Sequence, residues 1–180
     1  MGQHHDRNRS IVLWSAAAFL LLLPWVAMQF TQQMAWDPGD FILLGAMLVS
    51  GCGAYELAAR KAGSSAYLTA VGVAVAAAFL LIWINLAVGI IGNEENPANL
   101  MYGGVLVIAF IGSVIAGFRP RGMARAMVAT AIAQLLIAVI ALLLGFGRAF
   151  VLTVFFVALW FTSAWLFARA QQAQSSNRQT

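Results

Sequence analysis

Four residues set inside otherwise apolar runs carry groups that could do chemistry: Glu56, Asn85, Thr130 and Gln134. A polar or ionisable side chain is costly at such a position unless it bonds to something or serves a path. Glu56 stands four residues before Arg60, a helical spacing that sets carboxylate and guanidinium side by side. The pair reads either as an ion pair at a membrane surface or as one station of a proton or cation path. Asn85 falls about 9 Å inside the end of its run at 1.5 Å per residue, and Gln134, with Thr130 one turn earlier, falls near the middle of another. Such groups either bond across to a neighbouring helix, worth about 0.6–2 kcal/mol each, or line a route for a small solute. Both alternatives stay open.

A second set is charged and lies at the ends of the runs. Arg119, Arg121 and Arg125 could hold anionic lipid head groups at about 1 kcal/mol each, and setting orientation would account for them as well. Asp37, Asp40, Glu94 and Glu95 would make a shallow oxygen site for a divalent cation if their two loops converge; helix capping explains the Asp37 and Asp40 pair without one. With Met1 removed, Gly2-Gln3-His4 would offer an amine, two amides and an imidazole to Cu(II) or Ni(II), against the plainer reading of a solvated tail. Nucleophilic triads, zinc sites and haem sites need residues the runs lack. Both histidines are at positions 4 and 5, and the single cysteine, Cys52, rules out an internal disulfide or a C-x-x-C pattern. The expectation is therefore a protein that is not an enzyme, with no catalytic residue, no cofactor and no metal.

The elements that position these groups are read from hydropathy. Of the 180 residues, 62% are hydrophobic and 9% charged, with a mean hydropathy of +0.86, against roughly 25% charged in soluble domains. The apolar runs fall at residues 10–30, 37–60, 66–91, 97–118, 123–145 and 149–170, each long enough for a hydrocarbon core of about 30 Å. The expected fold is all-α, a polytopic transmembrane bundle of six helices at 10–170, with polar cytoplasmic tails at 1–9 and 171–180, the latter disordered. Pro24 should kink the first helix or end its regular part. The first run is too long for a signal peptide and no cleavage motif follows it. Asp37-Pro38-Gly39-Asp40 and Asn96-Pro97-Ala98-Asn99 are helix starts, with a capping side chain and proline at the first helical position. Gly51 and Gly53 leave room for a close neighbour, and Ala109, Ser113 and Gly117, four residues apart, form a small-residue seam.

Charge distribution gives orientation. Arg7, Arg9, Arg60, Lys61, Arg119, Arg121, Arg125, Arg169 and Arg178 fall on the side of the termini and only Arg148 on the other, which places both termini in the cytoplasm of a bacterial inner membrane. Trp36 and Trp165 suit the interfacial aromatic belts. No basic stripe with interleaved aromatics exists, so no nucleic acid is expected despite the net charge of +4.

Internal similarity adds a repeat. DPGDFILLG at 37–45 returns as NPANLMYGG at 96–104, and FLLIWINLAVGIIG at 79–92 as QLLIAVIALLLGFG at 134–147. The proline and glycine matches imply three tandem hairpins of the same orientation, with the middle one between its copies. WINLAVGIIGNEENPANLMYGG, followed by FRPRGMARAM, resembles a family of uncharacterised multi-pass inner-membrane proteins of proteobacteria over roughly the second to fifth helices; the resemblance implies topology and no activity. Leu23-Pro24-Trp25 is similar to the signature of Ser-Pro-Trp repeat membrane proteins, also built of helical hairpins, with Leu23 in place of the serine. The functional expectation is a non-catalytic interaction, structural or accessory membrane component whose partners are membrane lipids and a homo-oligomer or larger membrane complex. The alternative is a channel or carrier for a small solute or ion, and a lipid-directed enzyme stands third.

Overall fold

Lipid-soluble runs satisfy their backbone polar groups internally, so each becomes a helix. The structure, a computed structural model, describes residues 2–30 and 36–176, without the side chains of residues 2–6, Lys61 and Arg148. It contains α1 (Gly2–Phe30), α2 (Pro38–Lys61), α3 (Ser65–Ala87), a 3₁₀ turn (Pro97–Asn99), α4 (Leu100–Ile115), α5 (Pro120–Leu143) and α6 (Gly147–Ser176). Among the described residues six helical stretches of 19 to 28 residues are long and apolar enough to cross a membrane, the fourth of them, Pro97–Ile115, made of the 3₁₀ turn and α4 together. The fold is a multi-pass helical membrane bundle. The expected loop after the first helix falls largely on residues 31–35, outside the described residues.

Several boundaries differ from those read off the sequence. α1 runs without interruption from Gly2 through Pro24, because a helix already nucleated extends into a polar tail at little cost. For the same reason α6 continues to Ser176; ARAQQAQ is polar but made of strong helix formers, so residues 171–176 are helical instead of disordered. α3 stops at Ala87 and not near Ile91. Gly89 takes φ +67°, and a Cβ there would overlap the Asn93 carbonyl, so the chain turns where only glycine fits. At the other end of the hairpin, α4 closes with Gly117 at φ 55° and Phe118 at φ 57°. The left-handed Phe118 is uncommon for a bulky residue; its carbonyl accepts a hydrogen bond from Tyr67 Oη at 2.8 Å.

The chain divides into two units, Met1–Leu57 and Ala58–Thr180. In the first, α2 buries a stripe of one residue per turn, Leu44, Leu48 and Cys52, which the half-buried Glu56 continues. Asp37 Oδ1 accepts from the Gly39 and Asp40 amides, at 2.6 and 3.0 Å, while Asp40 Oδ2 accepts from the Asp37 amide at 3.0 Å. This is a reciprocal helix cap.

In the second unit α5 and α6 form the central hairpin. α5 buries Met123, Met127, Thr130, Gln134, Ile137 and Ala141, and α6 buries Thr153, Phe156, Trp160, Ser163, Phe167 and Ala170, the alternating three- and four-residue spacing of a coiled-coil seam. α3 packs on α6 and α4 on α5, while α3 and α4 barely meet along their lengths. The α3–α4 hairpin is therefore splayed and clasps the α5–α6 hairpin. The α4–α5 seam falls on Gly112 and Ala116, beside the expected Ala109, Ser113 and Gly117. A Cβ on Gly112 would stand 2.9 Å from Ala126 Cβ, and one on Gly122 would stand 2.7 Å from Ala116 Cβ. Gly53 on α2 has open space beside it.

Candidate functional site

The polar residues inside the second unit fall into one closed node, a set of interhelical ties and three residues with buried polar atoms that have no partner among the described residues. The node is Asn99, 5% exposed. Its Oδ1 accepts from the Ile90 and Ile91 amides at 3.1 and 2.8 Å, and its Nδ2 donates to the Ile91 and Asn93 carbonyls at 3.3 and 2.6 Å. Two backbone donors converging on one atom fix that atom as the oxygen. Asn85 Nδ2 donates to the Asn99 carbonyl at 3.2 Å, so the end of α3 and the start of α4 are tied through one amide. Asn96 caps the 3₁₀ turn, its Oδ1 accepting from the Ala98 amide at 3.0 Å. Asn99 therefore departs from the Asp40 role to which the repeat assigned it. A carboxylate can only accept, and this position must also donate twice.

The ties join helices further along. Thr153 Oγ1 donates to the Ala149 carbonyl at 2.7 Å, which uses its one hydrogen, so Tyr102 Oη donates to Thr153 Oγ1 across α4 and α6 at 2.8 Å. Ser163 Oγ donates to the Ala70 carbonyl at 2.9 Å, linking α6 to α3, and the Tyr67 and Phe167 rings meet edge to face at 5.3 Å beside it. Asn99 was read from the sequence only as part of a helix start, and Tyr102, Thr153 and Ser163 were not singled out. Isolated hydroxyls in apolar runs are common, and nothing but the tertiary contact distinguishes these three.

The sequence-derived candidates are placed as follows. Thr130 and Gln134 are 0% exposed. Thr130 Oγ1 donates back to the Ala126 carbonyl at 2.9 Å, a bond within its own helix. Neither Gln134 Oε1 nor Nε2 has a hydrogen-bond partner among the described residues, and the same holds for Asn85 Oδ1 and for the indole N–H of Trp160, itself 1% exposed. Gln134 is thus not an interhelical tie. In the first unit Glu56 Oε1 accepts from Trp14 Nε1 at 3.0 Å; this contact crosses from α2 to α1, which the spacing to Arg60 along α2 could not show.

Among the described residues no three His, Cys, Asp or Glu side chains are gathered as a metal site would need, and the His4 side chain lies outside them. Asp37 and Asp40 are occupied with capping. Of the three arginines, Arg125 lines an apolar groove of about 450 Å³ between α5 and α6. Arg119 is the residue that precedes α5, with no side-chain capping bond, and Arg121 is exposed one turn before Arg125. The Arg169 guanidinium lies 3.8 Å over the ring of Trp165, another groove residue. No known protein family matches the chain, and neither a curated protein nor a solved structure matches it.

Proposed function

We infer that this is a non-catalytic integral membrane protein of a bacterial inner membrane, with both termini cytoplasmic, that acts through lateral contacts as an interaction or accessory component. The orientation rests on the basic residues, which crowd the side of the termini. The observation that carries the functional reading is how the buried hydroxyls are used: Tyr102, Thr153 and Ser163 are spent on bonds between helices or back to their own backbone. An interior built this way offers cement, which moves recognition to the lipid-facing surface. There Gly103 and Gly104 lie exposed on α4 with open space where a side chain would stand, and small residues of this kind let a second helix approach closely. Mass spectrometry of the protein gently extracted from its own membrane tests the reading. A defined homo-oligomer or a stoichiometric protein companion is the expected result; a monomer carrying lipid alone refutes it.

One observation favours the carrier reading as a second. Gln134, Trp160 and Asn85 hold buried polar atoms without partners among the described residues, and such atoms cost about 1–3 kcal/mol each unless something binds them. A small neutral solute passing through the α3–α6 unit would supply that partner.

A further inference from the structure

We propose that the groove between α5 and α6 is a binding site for one anionic phospholipid, its acyl chain seated along the helices and its phosphate held by Arg125 and Arg169. Its apolar lining is Ala124 and Val128 from α5 and Phe161, Ala164 and Ala168 from α6. Three of these are alanines, whose small side chains leave room for the groove between α5 and α6. Its lining carries no polar side chain except at one end, where Arg125 stands. At that end Trp165 forms the rim, and the Arg169 guanidinium stacks on its face at 3.8 Å, a cation–π contact that fixes the charge in place beside the groove.

The shape is that of an amphiphile: apolar over its length and cationic at the mouth. Charge makes the choice among amphiphiles. From residue 58 to the end of the chain the only side-chain carboxylates are Glu94 and Glu95, in the loop between α3 and the 3₁₀ turn. Arg119, Arg121, Arg125 and Arg169 lie at the opposite end, where this unit provides no acid to balance them. A zwitterionic head group brings its own cation to that mouth, whereas an anionic one leaves its phosphate free for both guanidinium groups.

The test uses the full chain in phosphatidylcholine vesicles, into which brominated-chain phosphatidylglycerol or brominated-chain phosphatidylcholine is titrated. The emission lost on Trp165→Phe defines the Trp165 signal, and bromine within the groove quenches it. The expected result is a preference for the anionic lipid of about fivefold for each of the two arginines, reduced nearly to parity in R125Q/R169Q. The control R7Q/R60Q removes as much charge from residues outside the groove and should keep the preference. Equal quenching by the two lipids overturns the proposal. So does an equal loss of preference in both double variants, which would make the attraction diffuse, and so does a Trp165 signal that no lipid quenches, which would mean that protein covers the groove.

Discussion

Replacing Asn99 by aspartate changes one NH₂ group to an oxygen without changing shape, and the structure makes that exchange expensive. Oδ1 would keep its two bonds from the Ile90 and Ile91 amides, at 3.1 and 2.8 Å. The second oxygen would replace a donor to the Ile91 and Asn93 carbonyls, at 3.3 and 2.6 Å, and set a third acceptor against two others at a position only 5% exposed. Two lost hydrogen bonds cost about 1 kcal/mol each, and leaving buried carbonyls unsatisfied adds about 1–3 kcal/mol, so Asn99→Asp should destabilise by about 3–5 kcal/mol. For a chain of this length that lowers Tm by roughly 6–20 °C. Asn96→Asp is the matched control. Asn96 Oδ1 accepts one bond from the Ala98 amide, and aspartate serves as well as asparagine in a cap, so its change should stay within about 0.5 kcal/mol. Tryptophan-fluorescence melting of both variants in the same detergent measures the difference. Equal melting temperatures for the two would refute the claim that Asn99 is held as a donor and acceptor at once.

Two further outcomes follow from packing and polar satisfaction. Gly122→Ala puts a Cβ 2.7 Å from Ala116 Cβ and 3.0 Å from Ala116 Cα, whereas Gly104→Ala meets nothing within 4 Å; both glycines are helical, so the variants should differ in stability by about 1–3 kcal/mol, the usual cost of overpacking, and equal melting would show that α4 and α5 are not in contact there. Gln134→Leu removes two buried amide atoms that have no partner among the described residues and should hold or raise Tm, since an apolar side chain of similar size avoids their desolvation cost. Stopped-flow shrinkage of vesicles in a neutral osmolyte decides its role: flux through the wild type that vanishes in this variant would replace the accessory reading with the carrier one.

What could be read from the sequence, and what could not, follows from the solvent. Twenty-residue apolar runs are legible because nothing but a membrane span needs them, and Asp37-Pro38 and Asn96-Pro97 are legible because capping is local. Inside the bundle the usual guide fails. In water a helix shows which face is buried by being apolar there and polar elsewhere; in lipid both faces are apolar, and α4 exposes Val107, Ile108, Ile111 and Val114 as readily as it buries Val105. The choice between Ala109-Ser113-Gly117 and Gly112-Ala116 as its seam therefore had no hydropathy signal behind it, and only the close approach to Ala126 and Gly122 decides it. The repeat misled in a similar way. It aligned Asn99 with Asp40 correctly as a helix start, yet the exchange of carboxylate for amide marked the position where the second copy had acquired a different task. Within a membrane protein a change from acceptor-only to donor-and-acceptor at a repeated position carries more information than any match of leucines, because each buried donor must find an acceptor. By the same reasoning Gln134, a donor and acceptor with no partner among the described residues, is the buried polar position where an apolar side chain of similar size should cost the bundle least.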